Sequence, residues 1–207
     1  MISIVIPIYN EEEVIPKLIA RLKSASPLWK DSFEVVLVDD GSRDASLELL
    51  KAESEKDSRF RVVKLSRNFG HQAAISAGIW EAKGDAVIVM DGDLQDPPEE
   101  LPRFLEKWRE GYEVVYAVRT KRKEGPFKKM AYKIFYRILR VISDIEIPLD
   151  SGDFCVMDRK VVDTLKYKMP EKIRFVRGLR AYSGFKQIGV KYERSERAAG
   201  EVKYTFR

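Results

Sequence analysis

Cysteine and histidine occur once each, as Cys155 and His71. A single cysteine excludes an intrachain disulfide framework, and with a single histidine it excludes a Cys/His zinc cluster. Such sparse thiol usage fits a reducing compartment. No apolar run approaches the ~18–20 residues that a membrane-crossing helix needs, and the first residues lack the basic start and cleavage site of a secretory signal. These absences predict a soluble or peripheral chain. Internal repeats, low-complexity tracts and Gly/Ser linkers are missing too. So are both common phosphate-cradling signatures: no G-x-x-x-x-G-K-[ST] occurs, and no G-x-G-x-x-G follows the first apolar run. That run leads instead into Tyr9-Asn10-Glu11-Glu12-Glu13, whose charge would repel a pyrophosphate. Nicotinamide, flavin and P-loop readings fail on these grounds.

The 207 residues, 44% apolar and 34% charged, suffice for one domain with a substantial core, and we expect a single domain over 1–207. The net charge of +5 is unevenly spread. Between Arg119 and Arg140 nine Lys/Arg face one Glu, a local +8 that leaves −3 for the remainder. A mildly acidic body with one basic stripe argues against nucleic-acid coating and for an anionic surface met at one place.

Val/Ile-rich runs at Ile2–Pro7, Phe33–Asp39, Phe60–Leu65, Asp85–Asp91 and Tyr112–Val118 read as strands buried on both faces. Helical patterns lie between them, near Glu12–Ser24, Ala45–Lys56, Gln72–Lys83 and Pro98–Glu110, with Asp44 and Pro97-Pro98 as helix starts. This alternation predicts a doubly wound, mainly parallel α/β sheet with right-handed crossovers. Ligands of such a sheet bind at the carboxyl ends of its strands. Three of those ends carry acids, at Glu11, at Asp39-Asp40 and at Asp91 with Asp93, so the crevice should be electronegative. An anionic ligand there needs a cation between.

Asp91 and Asp93, spaced i, i+2, would lie on one side of an extended strand end. Mg²⁺ or Mn²⁺ held by these carboxylates, with waters and diphosphate oxygens, satisfies that geometry, and Gln95 would orient the ligands. Taken alone, D-x-D is equally a loop of helix-capping acids before Pro97-Pro98. Asp39-Asp40-Gly41-Ser42 reads either as only a turn in which Gly41 supplies a positive φ or, better suited to its place at a second strand end, as carboxylates for a base or ribose contact. His71 reads as a helix-start residue, because no acid or nucleophile is patterned around it, and Cys155 as core. Over 125–143, Phe127, Met130, Ala131, Ile134, Phe135, Ile138 and Ile142 recur at helical spacing, interleaved with Lys128, Lys129, Lys133, Arg137 and Arg140. A basic amphipathic helix of this kind suits an anionic membrane surface; its bland alternative is a core helix with a solvated face.

Taken together, the strings IVIPIYNEEEVI, VLVDDGSRDAS, LSRNFGHQAAISAG, GDAVIVMDGDLQDPPEELP, GYEVVYAVR, SGDFCVMDR and RSERAAGEVKY resemble family 2 glycosyltransferases, in particular the polyprenyl-phosphate (bactoprenol- or dolichyl-phosphate) group. They run in register from Ile4 to Tyr204. The LQDPPE and RNFGHQAA strings resemble the bactoprenol glucosyltransferase branch. The resemblance implies a glycosyltransferase A-type fold and Mg²⁺- or Mn²⁺-dependent, inverting transfer of a hexose from a nucleotide diphosphate-sugar, UDP-glucose in that branch, to a polyprenyl phosphate. It assigns the base and ribose to Pro7, Tyr9, Glu11 and Asp40, and the metal and diphosphate to Asp91 and Asp93 with Gln95. Phosphate charge would fall to Arg119, Arg197 and Lys203, and the role of candidate base to Asp153. The usual D-A-D is here Asp91-Gly92-Asp93, which loosens the backbone without removing a ligand. Members usually continue into transmembrane helices, so the resemblance implies a catalytic domain at the cytoplasmic face of the cell membrane, with a membrane region outside this chain. Transfer from GDP-mannose, transfer to a polysaccharide acceptor and a silent membrane-binding module are the alternatives, and self-association is left open.

Overall fold

The computed structural model describes residues 1–119, 151–169, 171 and 175–193. Seven strands form one sheet: β1 (Ile2–Ile8), β2 (Phe33–Asp39), β3 (Phe60–Lys64), β4 (Ala86–Val89), β5 (Val114–Arg119), β6 (Ser151–Asp158) and β7 (Gln187–Tyr192), in the order β3-β2-β1-β4-β6-β5-β7. The helices are α1 (Ile15–Ala25), α2 (Ser46–Lys56), α3 (His71–Glu81), α4 (Leu101–Arg109), α5 (Arg159–Tyr167) and α6 (Val176–Tyr182). Among the described residues no helix is long and apolar enough to cross a membrane.

The five expected strands all form, and the sheet is mainly parallel. Two further strands complete it. β6 runs antiparallel between β4 and β5, and β7 pairs parallel with the far side of β5. β6 is apolar on both faces, because successive side chains alternate: Phe154 and Val156 enter one core layer, Cys155 and Met157 the other. The same alternation sends Ile2, Ile4, Ile6 and Ile8 of β1 towards α1 and α4, and Val5 towards α3. Cys155 is buried core, as expected.

Two local features open the carboxyl end of the sheet. The β1–β4 ladder stops at Val5↔Val89, two residues short of Pro7, which has no N–H to extend it. Gly78 lets α3 settle onto the sheet: a Cβ there would lie 2.3 Å from Val5 Cγ1 and 2.9 Å from Val38 Cγ2. α3 thereby packs on β1 and β2, and its first residue, His71, reaches Asp91 just past β4.

Candidate active site

The loops after β1 and β2 are laced together. Ser42 Oγ accepts the Asn10 N–H at 3.0 Å, Asn10 Oδ1 accepts the Arg43 N–H at 2.7 Å, and Ser46 Oγ accepts the Glu11 N–H at 2.8 Å. Asp44 Oδ2 and Glu12 Oε2 complete the reciprocity by accepting the N–H groups of Glu12 and Ala45. Asn10 takes a positive φ of 52°, which asparagine tolerates, and Gly41 takes 69° as the turn reading expects. A Cβ on Gly41 would lie 2.5 Å from the backbone of Arg67, so glycine is needed there for space as well. Pro7 is buried, whereas Tyr9 and Glu11 are half-buried on this rim.

Asp40 is fully buried, and its two oxygens accept the N–H groups of Phe69 and Gly70 at 2.7 and 2.9 Å. Its visible task is to anchor the segment leading into α3. Asp39 is equally buried; its Oδ1 accepts the Ser42 N–H at 3.3 Å, while Oδ2 has no hydrogen-bond partner among the described residues.

The D-x-D segment departs from the expected geometry. β4 ends at Val89, so Asp91 and Asp93 lie in a turn rather than on an extended strand end. Asp93 Oδ1 accepts the Gln95 N–H at 3.0 Å, and Leu94 stands in the left-handed region at φ 61°. That conformation costs a non-glycine residue roughly 1 kcal/mol or more and is typical of functional turns. Tyr192 at the end of β7 donates its hydroxyl to Asp96 Oδ1 at 2.6 Å, pinning the far side of the turn to the edge strand. Gly92 is where the turn presses on β1: a Cβ would meet Ile8 Cδ1 at 2.6 Å and the Pro7 carbonyl at 3.3 Å.

The antiparallel course of β6 brings its first residues to this same end of the sheet, and with them Asp153. His71 Nε2 lies 3.4 Å from Asp153 Oδ2 and 3.5 Å from Asp91 Oδ1. Gln72 Nε2 donates to Asp153 Oδ2 at 3.1 Å, and Arg177 Nη2 lies 3.3 Å from Asp153 Oδ1. Burial alone would push the Asp153 carboxyl up; the hydrogen bond from His71 and the charges of Arg177, His71 and Arg180 outweigh it and hold the group at about 2. Burial would likewise lower His71, but its bond to Asp153 and the charges of Asp91 and Asp153 raise it overall.

His71 does start α3, as expected, but the reading that no acid surrounds it is corrected: the fold brings two. Gln72, Arg177 and Arg180 were not singled out from the sequence. The only trace of them is that Gln72 falls in the RNFGHQAA string and that Arg177 and Arg180 are three apart. Of the other expected site residues, the Arg119 side chain, Arg197, Lys203 and the basic segment 125–143 lie outside the described residues.

Among the described residues no three His, Cys, Asp or Glu side chains form a metal cluster. The donors present nevertheless fit Mg²⁺ or Mn²⁺. Asp91, Asp93 and Gln95 offer hard oxygens, and such ions usually take one or two carboxylates and complete their shell with waters and substrate phosphates.

The model of the family described as glycosyl transferase family 2 matches residues 3–166. An uncharacterized glycosyltransferase of Bacillus subtilis, YkcC, is 53% identical over 206 residues, covering 99% of this chain and 64% of the relative. A prophage bactoprenol glucosyl transferase homolog of Escherichia coli K12 is 38% identical over 204 residues, covering 98% of this chain and 66% of the relative. The chain thus spans about two thirds of the length of each. Among solved structures, the mannosyltransferase PcManGT of Pyrobaculum calidifontis, in complex with GDP-Man and Mn²⁺, superposes with a TM-score of 0.62 at 20% identity, covering 92% of this chain and 54% of that one. The likeness to it is one of fold.

Proposed function

Because the chain belongs to glycosyl transferase family 2, we propose that it transfers a hexose from a nucleotide diphosphate-sugar, UDP-glucose in our reading, to the phosphate of a polyprenyl phosphate, with inversion at the anomeric carbon. The observation that carries this reading is the meeting of Asp91 and Asp153 on one imidazole, His71. It sets a diphosphate-side carboxylate and an acceptor-side carboxylate one side chain apart. The choice of lipid acceptor is supported by the relative named as a bactoprenol glucosyl transferase homolog.

At the donor end, Pro7, Tyr9 and Glu11 would frame the base and ribose, with Asp40 supporting them from beneath through the Phe69-Gly70 segment that it anchors. Buried Asp39, with Oδ2 lacking a partner among the described residues, suits an N–H of the base. Asp91, Asp93 and Gln95 would hold Mg²⁺ or Mn²⁺, which when bound neutralises the charge developing on the departing diphosphate. At the acceptor end, Asp153 faces the lipid phosphate. A phosphate monoester has a second pKa of about 6. Asp153, held at about 2, therefore chiefly orients the attacking oxygen, and takes a proton from the monoanionic fraction only as the bond to carbon forms and makes that proton acidic. A carboxylate beside a phosphate needs cations nearby; Arg177 stands at Asp153 Oδ1, and Arg119, Arg197 and Lys203 are our further candidates. The segment 125–143 is proposed to lie on anionic lipid at the cytoplasmic face of the membrane, at about 1 kcal/mol per basic residue.

A panel of nucleotide-sugars assayed with a short polyprenyl phosphate and Mn²⁺ tests the reading. A lipid-linked glucose from UDP-glucose is expected. Transfer from GDP-mannose would move the donor assignment, and transfer only to an oligosaccharide would replace the acceptor. An Asp153→Asn defect larger at pH 6 than at pH 8.5 supports proton transfer, whereas an equal defect at both leaves orientation alone.

A further inference from the structure

Gln72 uses both ends of its carboxamide, and the two ends do opposite things. Nε2 donates to Asp153 Oδ2 at 3.1 Å, while Oε1 accepts the Val176 N–H at 3.0 Å. The partners decide which end is which: a carboxylate requires a donor and a backbone N–H requires an acceptor. Val176 opens α6, and the next residue along, Arg177, meets the other oxygen of Asp153 at 3.3 Å. One neutral side chain therefore spans α3, β6 and α6, holding one carboxylate oxygen itself and holding the helix that presents a guanidinium to the other.

We propose that Gln72 is a positioning residue for sugar transfer, fixing the orientation of the Asp153 carboxylate and seating α6 so that Arg177 stays on Oδ1. The proposal rests on the reading of Asp153 as the group that faces the acceptor. No other common side chain reproduces the arrangement. Glutamate keeps an acceptor for Val176 but sets a like charge against Asp153. Leucine keeps the bulk and loses both bonds. Asparagine is a methylene too short to span them.

The test compares the parent chain with Gln72→Glu, Gln72→Leu, Asp153→Asn and the Gln72→Leu/Asp153→Asn double variant. Transfer from UDP-glucose to a short polyprenyl phosphate in detergent micelles with Mn²⁺ is measured, together with melting temperature. Both single Gln72 variants should lose about 10- to 100-fold in kcat, the scale of a reacting group misplaced by about 1 Å. The donor KM should stay within about twofold, because both hydrogen bonds of the Gln72 carboxamide go to Asp153 and Val176 rather than to the donor loops. Adding Gln72→Leu to Asp153→Asn should change little, since both act through one carboxylate. Parent-like kcat in the Gln72 variants beside an impaired Asp153→Asn overturns the positioning role and leaves Asp153 in place. Parent-like transfer by Asp153→Asn overturns the reading of Asp153 and this proposal with it. A donor KM that worsens in step with a falling melting temperature shows a purely structural role and likewise overturns it.

Discussion

Glu34 and Asp153 both sit at an end of the same sheet, one at the amino ends of the parallel strands and one at their carboxyl ends, and the donors around them differ in kind. Glu34 Oε1 takes the Ser3 hydroxyl at 2.6 Å and the Lys83 N–H at 2.7 Å, and Oε2 takes Arg61 Nη1 at 2.8 Å. Burial raises its pKa, but those three hydrogen bonds and the Arg61 charge lower it overall. Each oxygen has its own donors, two of the three residues supplying them lie on strands, and the cluster is closed. At the carboxyl end His71 Nε2 lies between two carboxylates, and one N–H serves one of them at a time. A buried acid furnished with its own donors holds the fold together. At the carboxyl end Asp153 has Gln72 and Arg177 of its own but also shares the His71 N–H with Asp91, and in the function proposed above charged substrate is the third participant there.

The contrast is most sharply broken at the D-x-D turn. Asp93→Ala should remove transfer by at least about 100-fold, as loss of charge stabilisation in the transition state does. Stability should fall by only about 1 kcal/mol, the worth of its local bond to the Gln95 amide. Full transfer in excess EDTA would remove the metal from the reading. At the closed end the balance reverses. Glu34→Gln should leave donor affinity unchanged and cost about 1–3 kcal/mol at pH 7 in urea unfolding, because one buried acceptor is replaced by a donor. Since the Glu34 carboxyl is lowered in the folded chain, its contribution is present above the unfolded value of about 4.3 and is lost as pH falls below it. The gap between variant and parent should therefore close towards pH 3; a constant gap would deny Glu34 its charged role. Two glycines give the finest comparison. A Cβ on Gly84 would meet the Ser3 backbone N at 2.6 Å, whereas on Gly92 it meets the movable tip of Ile8 at 2.6 Å. Gly84→Ala should cost about 1–3 kcal/mol and Gly92→Ala less than about 1. Equal melting temperatures for the two would show that the ends yield alike.

The strands β1 to β5 were readable because each is a Val/Ile-rich run flanked by turn chemistry. β6 was not, although Phe154-Cys155-Val156-Met157 is equally apolar and α5 follows it directly, because nothing in the local pattern marks it as a strand that reverses direction. That reversal is what carries Asp153 into the site. Asp91, Asp93 and Asp153 were legible through their motif strings, but the extended-strand argument for D-x-D failed once the strand ended at Val89 and Leu94 turned left-handed. His71 was misjudged for a physical reason: its acids arrive through tertiary contact. Gln72 meets Asp153 across 81 positions and Val176 across 104, separations at which no periodicity in the sequence speaks.

The pairing of Val118 with Ser151 has a bearing on how such a chain diversifies. The end of one strand and the start of its neighbour stand about 4.8 Å apart, so the two points that flank the intervening sequence meet beside Asp153. Any stretch whose ends meet that spacing closes the same sheet without rethreading it. The described partners that hold the Asp153 carboxylate, His71, Gln72 and Arg177, all lie outside this stretch. A lineage can in this way try new partners at the mouth of the site without disturbing the frame, and grafting this stretch between relatives is the matching laboratory operation.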